Sequence, residues 1–456
     1  MTIFRSIFPR QALLAVTVLL AACSAPVKDR IALVGVNIVD GTDGPMLEDQ
    51  VIIIRGAKIE TIAPRAGFQI PKTATEIDLT GKWVIPGLID AHVHVERWSL
   101  TRFLAFGITS VRDLGHQQDS ILALHEEVAL GAIRAPRLFI AGAMIDGAPA
   151  TWPDATSVND ADEARRAVDE RAVAGIPVIK AYIRITPNIL KAIVEEATSL
   201  NLPVTAHLGL TDAVTAGKLG VKSIEHLSGV PEAVGPAEPY YAAHRRSFYD
   251  GWNTTERAWA GLDSAKLSAV AEQLAELRVT LVPTLILHET MGRLDDPAIV
   301  GSADLAYVPQ DVKEGWHLPD LMARAGWDTR AFATFRASRP NQDLFLREFR
   351  AAGGEIVAGT DAGAAMIVPG ASLHEEMRLL VNTGLSPLDA LRAATSKAAA
   401  LLGADSLGVI AVGKVADLVV LDADPRENIS NTRRIDRVML GGVLMPHDSL
   451  DLVAHR

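Results

Sequence analysis

Cysteine is almost absent from this 456-residue chain: Cys23 stands alone, so no internal disulfide can form in any redox compartment. Aromatic residues are scarce at 5%, and 44 Lys and Arg are outnumbered by 55 Asp and Glu, leaving a formal charge of −11. With no basic run and no basic stripe interleaved with aromatics, nucleic acid is not an expected partner. Long hydrophobic runs are missing as well. The longest, Ala12 to Ala22, is too short to span a bilayer as a helix, which excludes a polytopic membrane protein. What remains is ordinary globular composition, 49% hydrophobic and 22% charged, long enough to bury a large core. The length suits either a few domains or one α/β barrel with insertions.

The short apolar run reads as an export signal over residues 1–22. Arg5 and Arg10 supply a positive start, Ala12 to Leu20 an apolar middle, and small residues close it. Leu20-Ala21-Ala22-Cys23 resembles a bacterial lipobox. The resemblance implies cleavage before Cys23 and lipid on its sulfur and new amino group. Ser24 carries no inner-membrane retention signal, so the expected location is periplasmic, anchored to the outer membrane through Cys23 alone. An ordinary secretory signal ending near a cysteine is the alternative.

Residues 24–85 read as short strands, with Val51 to Ile54 turning at Gly56 into Ile59 to Ile62. Residues 406–456 share that texture, and Gly441-Gly442 signals a hairpin. Neither piece can bury two faces alone, so the two are expected to join in one small β-sandwich. Over residues 86–405, strand-like and helix-like segments alternate. Eight strand candidates begin at Ile89, Ile108, Arg137, Val178, Val204, Ser223, Thr280 and Glu355, and helices are expected over Ala161 to Ala174, Pro187 to Leu200, Leu267 to Leu277 and Pro387 to Leu402. The fold class is therefore α/β, a (β/α)8 TIM-type barrel with a small β-sandwich from both chain ends. Two stretches, 230–263 and 288–340, break the rhythm and read as irregular lids or binding loops.

Asp90-Ala91-His92-Val93-His94 ends the first barrel strand, where alternate residues share a face, so both imidazoles point inward. By itself such a pair is more often two half-buried polar residues than a metal site. Lys180, His207, His226 and Asp361 then follow at the ends of later strands. In a (β/α)8 barrel that rim delivers side chains to one mouth, and imidazoles with carboxylate oxygens suit zinc or a similar divalent ion. Taken singly, each has a structural reading too: ion-pair lysine, core histidine, turn aspartate.

Pro86-Gly87-Leu88-Ile89-Asp90-Ala91-His92-Val93-His94, the later Lys, His, His and Asp, and the closing Gly413-Lys414-Val415-Ala416-Asp417-Leu418-Val419-Val420-Leu421 resemble the amidohydrolase superfamily. The closest resemblance is to its imidazolonepropionase-related branch with Xaa-Pro and other metallo-dipeptidases and ochratoxinase-type amidases. It implies two divalent metals, expected to be Zn²⁺: His92 and His94 on the more buried one, His207 and His226 on the other, Asp361 as the eighth-strand carboxylate, and a carbamylated Lys180 as bridge. A hydroxide bridging the metals would attack an amide of a dipeptide or N-acyl amino acid, with Asp361 shuttling the proton. A homo-oligomer is also compatible.

Tyr182 shares the Lys180 face and could donate to an oxyanion, while His288 and His116 follow strands and could reach the mouth. With Arg184 they form a candidate set for holding a free carboxylate on the leaving amino acid. Arg112 reads as a structural salt bridge with Asp113 or a helix carboxylate. Competing functions are a mononuclear deaminase or cyclic-amide hydrolase, which would not need Lys180, a lactone or phosphotriester hydrolase, and a non-catalytic binding lipoprotein.

Overall fold

The computed structural model describes residues 29–446 and Ser449, so the export signal, Cys23 and the end of the tail lie outside the described residues. The chain opens with β1 (Arg30–Ile38), β2 (Leu47–Arg55), β3 (Lys58–Pro64), β4 (Ala74–Asp78) and β5 (Trp83–Pro86). β1 carries a bulge between Val34 and Val36, at Gly35 with φ +78°, where a side chain would also strike Thr80. The bulge lets one strand serve two partners: Arg30 to Val34 pairs in parallel with β4, and Asn37 to Ile38 with β5.

The barrel follows with β6 (Leu88–Val93), β7 (Ile108–Asp113), β8 (Arg137–Ile140), β9 (Ile145–Gly147), β10 (Thr156–Val158), β11 (Ile179–Ala181), β12 (Val204–Ala206), β13 (Ser223–Glu225), β14 (Thr280–Val282) and β15 (Glu355–Ile356). All eight expected strands are present. The third is interrupted, so that β8 pairs β7 and its continuation β9 pairs β11, with β10 added beside β9. Closure comes from β15 and the residues after it: Ala91 N donates to Ala358 O at 3.1 Å and His94 N to Ala362 O at 2.7 Å.

Strand alternation sorts the side chains. Ile179, Ile224, Leu281 and Ile356 face outward into one core with Leu190, Ile193, Leu267, Leu274, Phe345 and Phe349 of the surrounding helices. Lys180, Thr205, Ser223 and Glu225 take the opposite, inward parity. The helices start where their caps dictate. Asp160 accepts from Asp162 N and Glu163 N before Ala161–Val173, and Asp263 accepts from Lys266 N before Ser264–Glu276. The expected helix Pro387 to Leu402 is two, Pro387–Ala393 and Ser396–Leu401, broken at Thr395. Stretches 230–263 and 288–340 are largely helical rather than irregular, with helices such as Phe248–Ala258, Leu318–Ala325 and the long Thr329–Ala351. Among the described residues no helix is long and apolar enough to cross a membrane.

β16 (Leu418–Leu421), β17 (Ile435–Leu440) and β18 (Val443–Pro446) return to the N-terminal strands, β16 pairing antiparallel with β5 and the β17–β18 hairpin turning at Gly441-Gly442. Among the described residues the small β domain is one hydrogen-bonded sheet of eight strands, and residues of both ends, among them Leu33, Ile52, Val84, Leu418 and Met439, share its core. Val419 and Leu421, on the other face of β16, pack into the barrel core. Asp417 fastens the two parts: it receives Arg137 of β8 at 2.8 and 3.2 Å and Gly441 N at 2.6 Å. Asp417→Ala would strand both donors, so it is expected to lower stability by about 2 kcal/mol, read as a reduced melting temperature. An unchanged transition would mean the bridge contributes nothing.

Candidate metal centre and active-site cavity

His92 and His94 each direct Nε2 to Asp361 Oδ1, both at 3.2 Å, and ligand-capable atoms of the three residues lie within 4.8 Å of one another. The ring of His226 lies 4.5 Å from those of both His92 and His207. Lys180, Tyr182 and His116 line the same cavity. The structure thus gathers all six expected ligands at one mouth, with His92, His94 and Asp361 in the tightest group.

Two of these residues depend on unusual backbone. Glu225 takes the inward place on β13, so the next residue, His226, would face the helices in a continuing strand. Instead His226 and Leu227 adopt φ +60° and +53°, ending the strand, and His226 Nδ1 meets Thr284 Oγ1 at 2.7 Å. Thr284 itself has φ +47°, and Asp361 has φ +64°. Left-handed conformations cost non-glycine residues about 1–3 kcal/mol and persist where surrounding structure enforces them. For Asp361 the enforcement is visible: Asp90 receives Thr360 N and Oγ1 at 3.0 and 2.7 Å, and Thr360 Oγ1 receives Ala362 N at 3.1 Å.

Sequence reasoning passed over the residue that orients His92. Glu225, fully buried, meets His92 Nδ1 at 2.6 Å and receives Thr205 and Ser223 hydroxyls and Arg112 at 3.1 Å. Arg112 therefore pairs with Glu225 rather than Asp113, which instead receives Val95 N. The available signal was a carboxylate beside His226 on a strand whose alternation points it inward. His94 Nδ1 is held by Gly115 O at 2.8 Å. Such outer contacts fix which ring nitrogen faces a metal.

The electrostatics suit cation binding. Burial depresses His207 and His226 well below the usual imidazole range, leaving the neutral form that ligates. Burial also lowers Lys180 to about 8, and its Nζ has no hydrogen-bond partner among the described residues. Burial would raise Asp361, but hydrogen bonds from His92 and His94 hold it well below the usual carboxylate range. His94 goes the other way: burial would lower it, but Asp361 holds it up at about 9, so a cation there would displace its proton. Neutral His207 and His226, an ionised Asp361 and an orphaned buried amine are a donor set that fits divalent metal.

Other expectations change. His288 does not line the large cavity: its Nδ1 is engaged by Glu256 at 2.7 Å, its Nε2 by His226 O at 3.0 Å, and its ring stacks on Trp252. Both nitrogens being occupied, it braces the His226 backbone. Arg184 donates to Pro149 O and Arg245 O, away from the cavity lining. Tyr182 is at the cavity wall as expected, its hydroxyl oxygen accepting from Trp152 Nε1 at 2.9 Å, and burial raises its pKa. Residues from both inserted helical stretches, including Phe248, Trp252, Trp316 and Trp327, close a cavity of about 570 Å³ over the metal-ligand cluster.

A barrel mouth holding this cluster under a helical cover is the site of a metal-dependent hydrolase. The chain belongs to the amidohydrolase family, whose model matches residues 83–445, and it is a hydrolase acting on C–N bonds. The imidazolonepropionase of Chromobacterium violaceum is 26% identical over 84% of this chain and 87% of its own. A prolidase solved in complex with N-methylphosphonate-L-proline superposes with a TM-score of 0.67 at 25% identity, covering 91% of this chain and 99% of that one. The A. niger ochratoxinase shares the fold, with a TM-score of 0.64 at 20% identity over 92% and 96% of the two chains.

Glu225→Gln is expected to weaken metal binding about 10- to 100-fold, measured by competition with a chromophoric chelator. Parent-like affinity would remove Glu225 from the site. A second expectation concerns Glu376, which receives Ile286 N at 2.7 Å two residues after Thr284. Burial pushes its carboxyl from the ordinary 4.5 up to about 8, so the folded state keeps a proton that the unfolded chain releases. Stability from this group is present below pH 4.5 and is lost as pH rises toward 8. Glu376→Gln should therefore gain melting temperature relative to the parent as the pH is raised through that window, and a pH-independent difference would contradict the assignment.

Proposed function

We propose that the protein is a binuclear amidohydrolase that cleaves the amide bond of a small peptide-like molecule. The observation that carries the reading is Lys180: a buried, inward-facing amine without a partner, among four histidines and an ionised aspartate. A neutral amine in that position can take up carbon dioxide as a carbamate, releasing one proton and gaining one negative charge shared by two oxygens. His92, His94, His207, His226, Asp361 and the carbamylated Lys180 would then hold two divalent ions, with Zn²⁺ suited to the imidazole-rich set. When bound, the ions supply Lewis acidity and acidify water.

The chain's own groups do the rest. Asp361 accepts the proton of the attacking water and returns it to the leaving nitrogen, which requires a carboxylate within hydrogen-bond reach. Tyr182 has its oxygen engaged by Trp152 and its proton free for an oxyanion. The three-residue group of His92, His94 and Asp361 is compact enough to hold one ion alone, which keeps a mononuclear enzyme as the second reading.

Elemental analysis is expected to find about two metals per chain, falling in Lys180→Ala together with turnover on amides. Asp361→Asn should lose orders of magnitude in turnover while retaining part of the metal. One metal per chain, with Lys180→Ala fully active, would establish the mononuclear reading. For location, we propose the lipid-anchored form read from the sequence at Cys23. Cys23→Ser should then release the enzyme from membranes, and equal membrane fractionation of variant and parent would overturn the anchor.

A further inference from the structure

The cavity over the metal-ligand cluster is unusual for this chain in what lines it. Four of the seven tryptophans of an aromatic-poor sequence face it: Trp152, Trp252, Trp316 and Trp327. Phe248 and Tyr249 complete the wall. Their rings are in sequence: Trp152 to Phe248 at 5.3 Å, Phe248 to Tyr249 at 5.4 Å, Tyr249 to Trp327 at 6.1 Å. This wall begins at the reacting end, because Phe248 lies 6.4 Å from the ring of His207.

The charges are equally one-sided. Among the described residues Asp154 and Glu96 line the cavity and are exposed, whereas no arginine lines it, its one lysine is Lys180, and beyond the four ligand histidines its one imidazole is His116. The Arg184 guanidinium, the nearest sequence candidate for holding a carboxylate, directs its two terminal nitrogens to backbone carbonyls and does not line the cavity. A substrate carboxylate placed against this wall would leave water without a charge-assisted donor in return, a net cost. An aryl group gains offset and edge contacts with the rings, and an ammonium gains attraction to their faces and to the acidic mouth.

We propose that the substrate presents a bulky aryl or ammonium-bearing group to this wall, and that a free carboxylate is not what the enzyme recognises. The inference rests on the amide-hydrolase reading for the reaction, but the recognition itself can be tested apart from catalysis. Tryptophan fluorescence of the full-length protein is titrated with benzyltrimethylammonium and with phenylacetate, before and after metal removal. The ammonium should quench saturably in both states. Metal-free protein should bind phenylacetate at least about 5-fold more weakly, the scale of one cation–π contact. Trp316→Ala and Asp154→Asn should each weaken the ammonium several-fold.

Phenylacetate binding to metal-free protein as tightly as the ammonium, or ammonium binding indifferent to both substitutions, would overturn the proposal. A matched series of amides, differing only in an aryl, aryl-ammonium or carboxylate group, separates the two readings on the metal-loaded enzyme. If no amide is cleaved while the ammonium still binds as expected, the recognition stands and the reaction assignment falls. If amides are cleaved with the carboxylate series best, the reaction stands and the recognition falls.

Discussion

A full negative charge sits inside the barrel, and the site is arranged around it. Glu225 is buried without solvent contact, yet Arg112 and the ring of His92 hold it ionised against the burial that would neutralise it. Its contacts reach β6 through His92, β7 through Arg112, β12 through Thr205 and its own strand through Ser223. A buried ion pair of this kind adds little net stability over an apolar filling, but removing one partner leaves a costly orphan. What it contributes is geometry: with His92 Nδ1 fixed on Glu225, Nε2 is the nitrogen left facing Asp361.

Around that centre the fold stores strain at positions in and beside the candidate ligand cluster. His226, Thr284 and Asp361 all occupy the left-handed region. Each is braced from behind: His226 by His288 on its carbonyl and Thr284 on its ring, Asp361 by the Asp90–Thr360 pair that flanks it. The brace for Thr284 is the Glu376 carboxyl at the start of the following helix. Buried polar groups that look redundant in isolation thus hold backbone that would otherwise relax out of the mouth.

Much of this was legible in the sequence because period-two alternation and strand ends are local signals. His92 with His94, and Lys180 with Tyr182, could be assigned to shared faces from spacing alone. Glu225 was not, since alternation can turn the carboxylate inward but says nothing of its partners, and Arg112 and His92 converge on it from other strands. His288 and Arg184 were placed too near the mouth because position after a strand says nothing about which backbone carbonyls will capture a side chain. The helices over 288–340 were hidden by their own punctuation. Pro340 lies inside the helix Thr329–Ala351, and prolines and glycines scattered through the stretch imitate loop chemistry.

The split β domain has a consequence for the order in which the molecule can be completed. The edge of β5 that pairs with β16 waits for the far end of the chain, and the ion pair of Lys82 with Asp422 joins residues 340 apart in sequence. During synthesis β1 to β5 emerge first, with Val84 and Ile85 uncovered and an unpaired strand edge, while the whole barrel is still to be made. The part of the sequence read first is therefore finished last. Until β16 arrives, the nascent chain carries a sticky edge that only a holding factor or a rapidly closing barrel can keep from pairing with a neighbour.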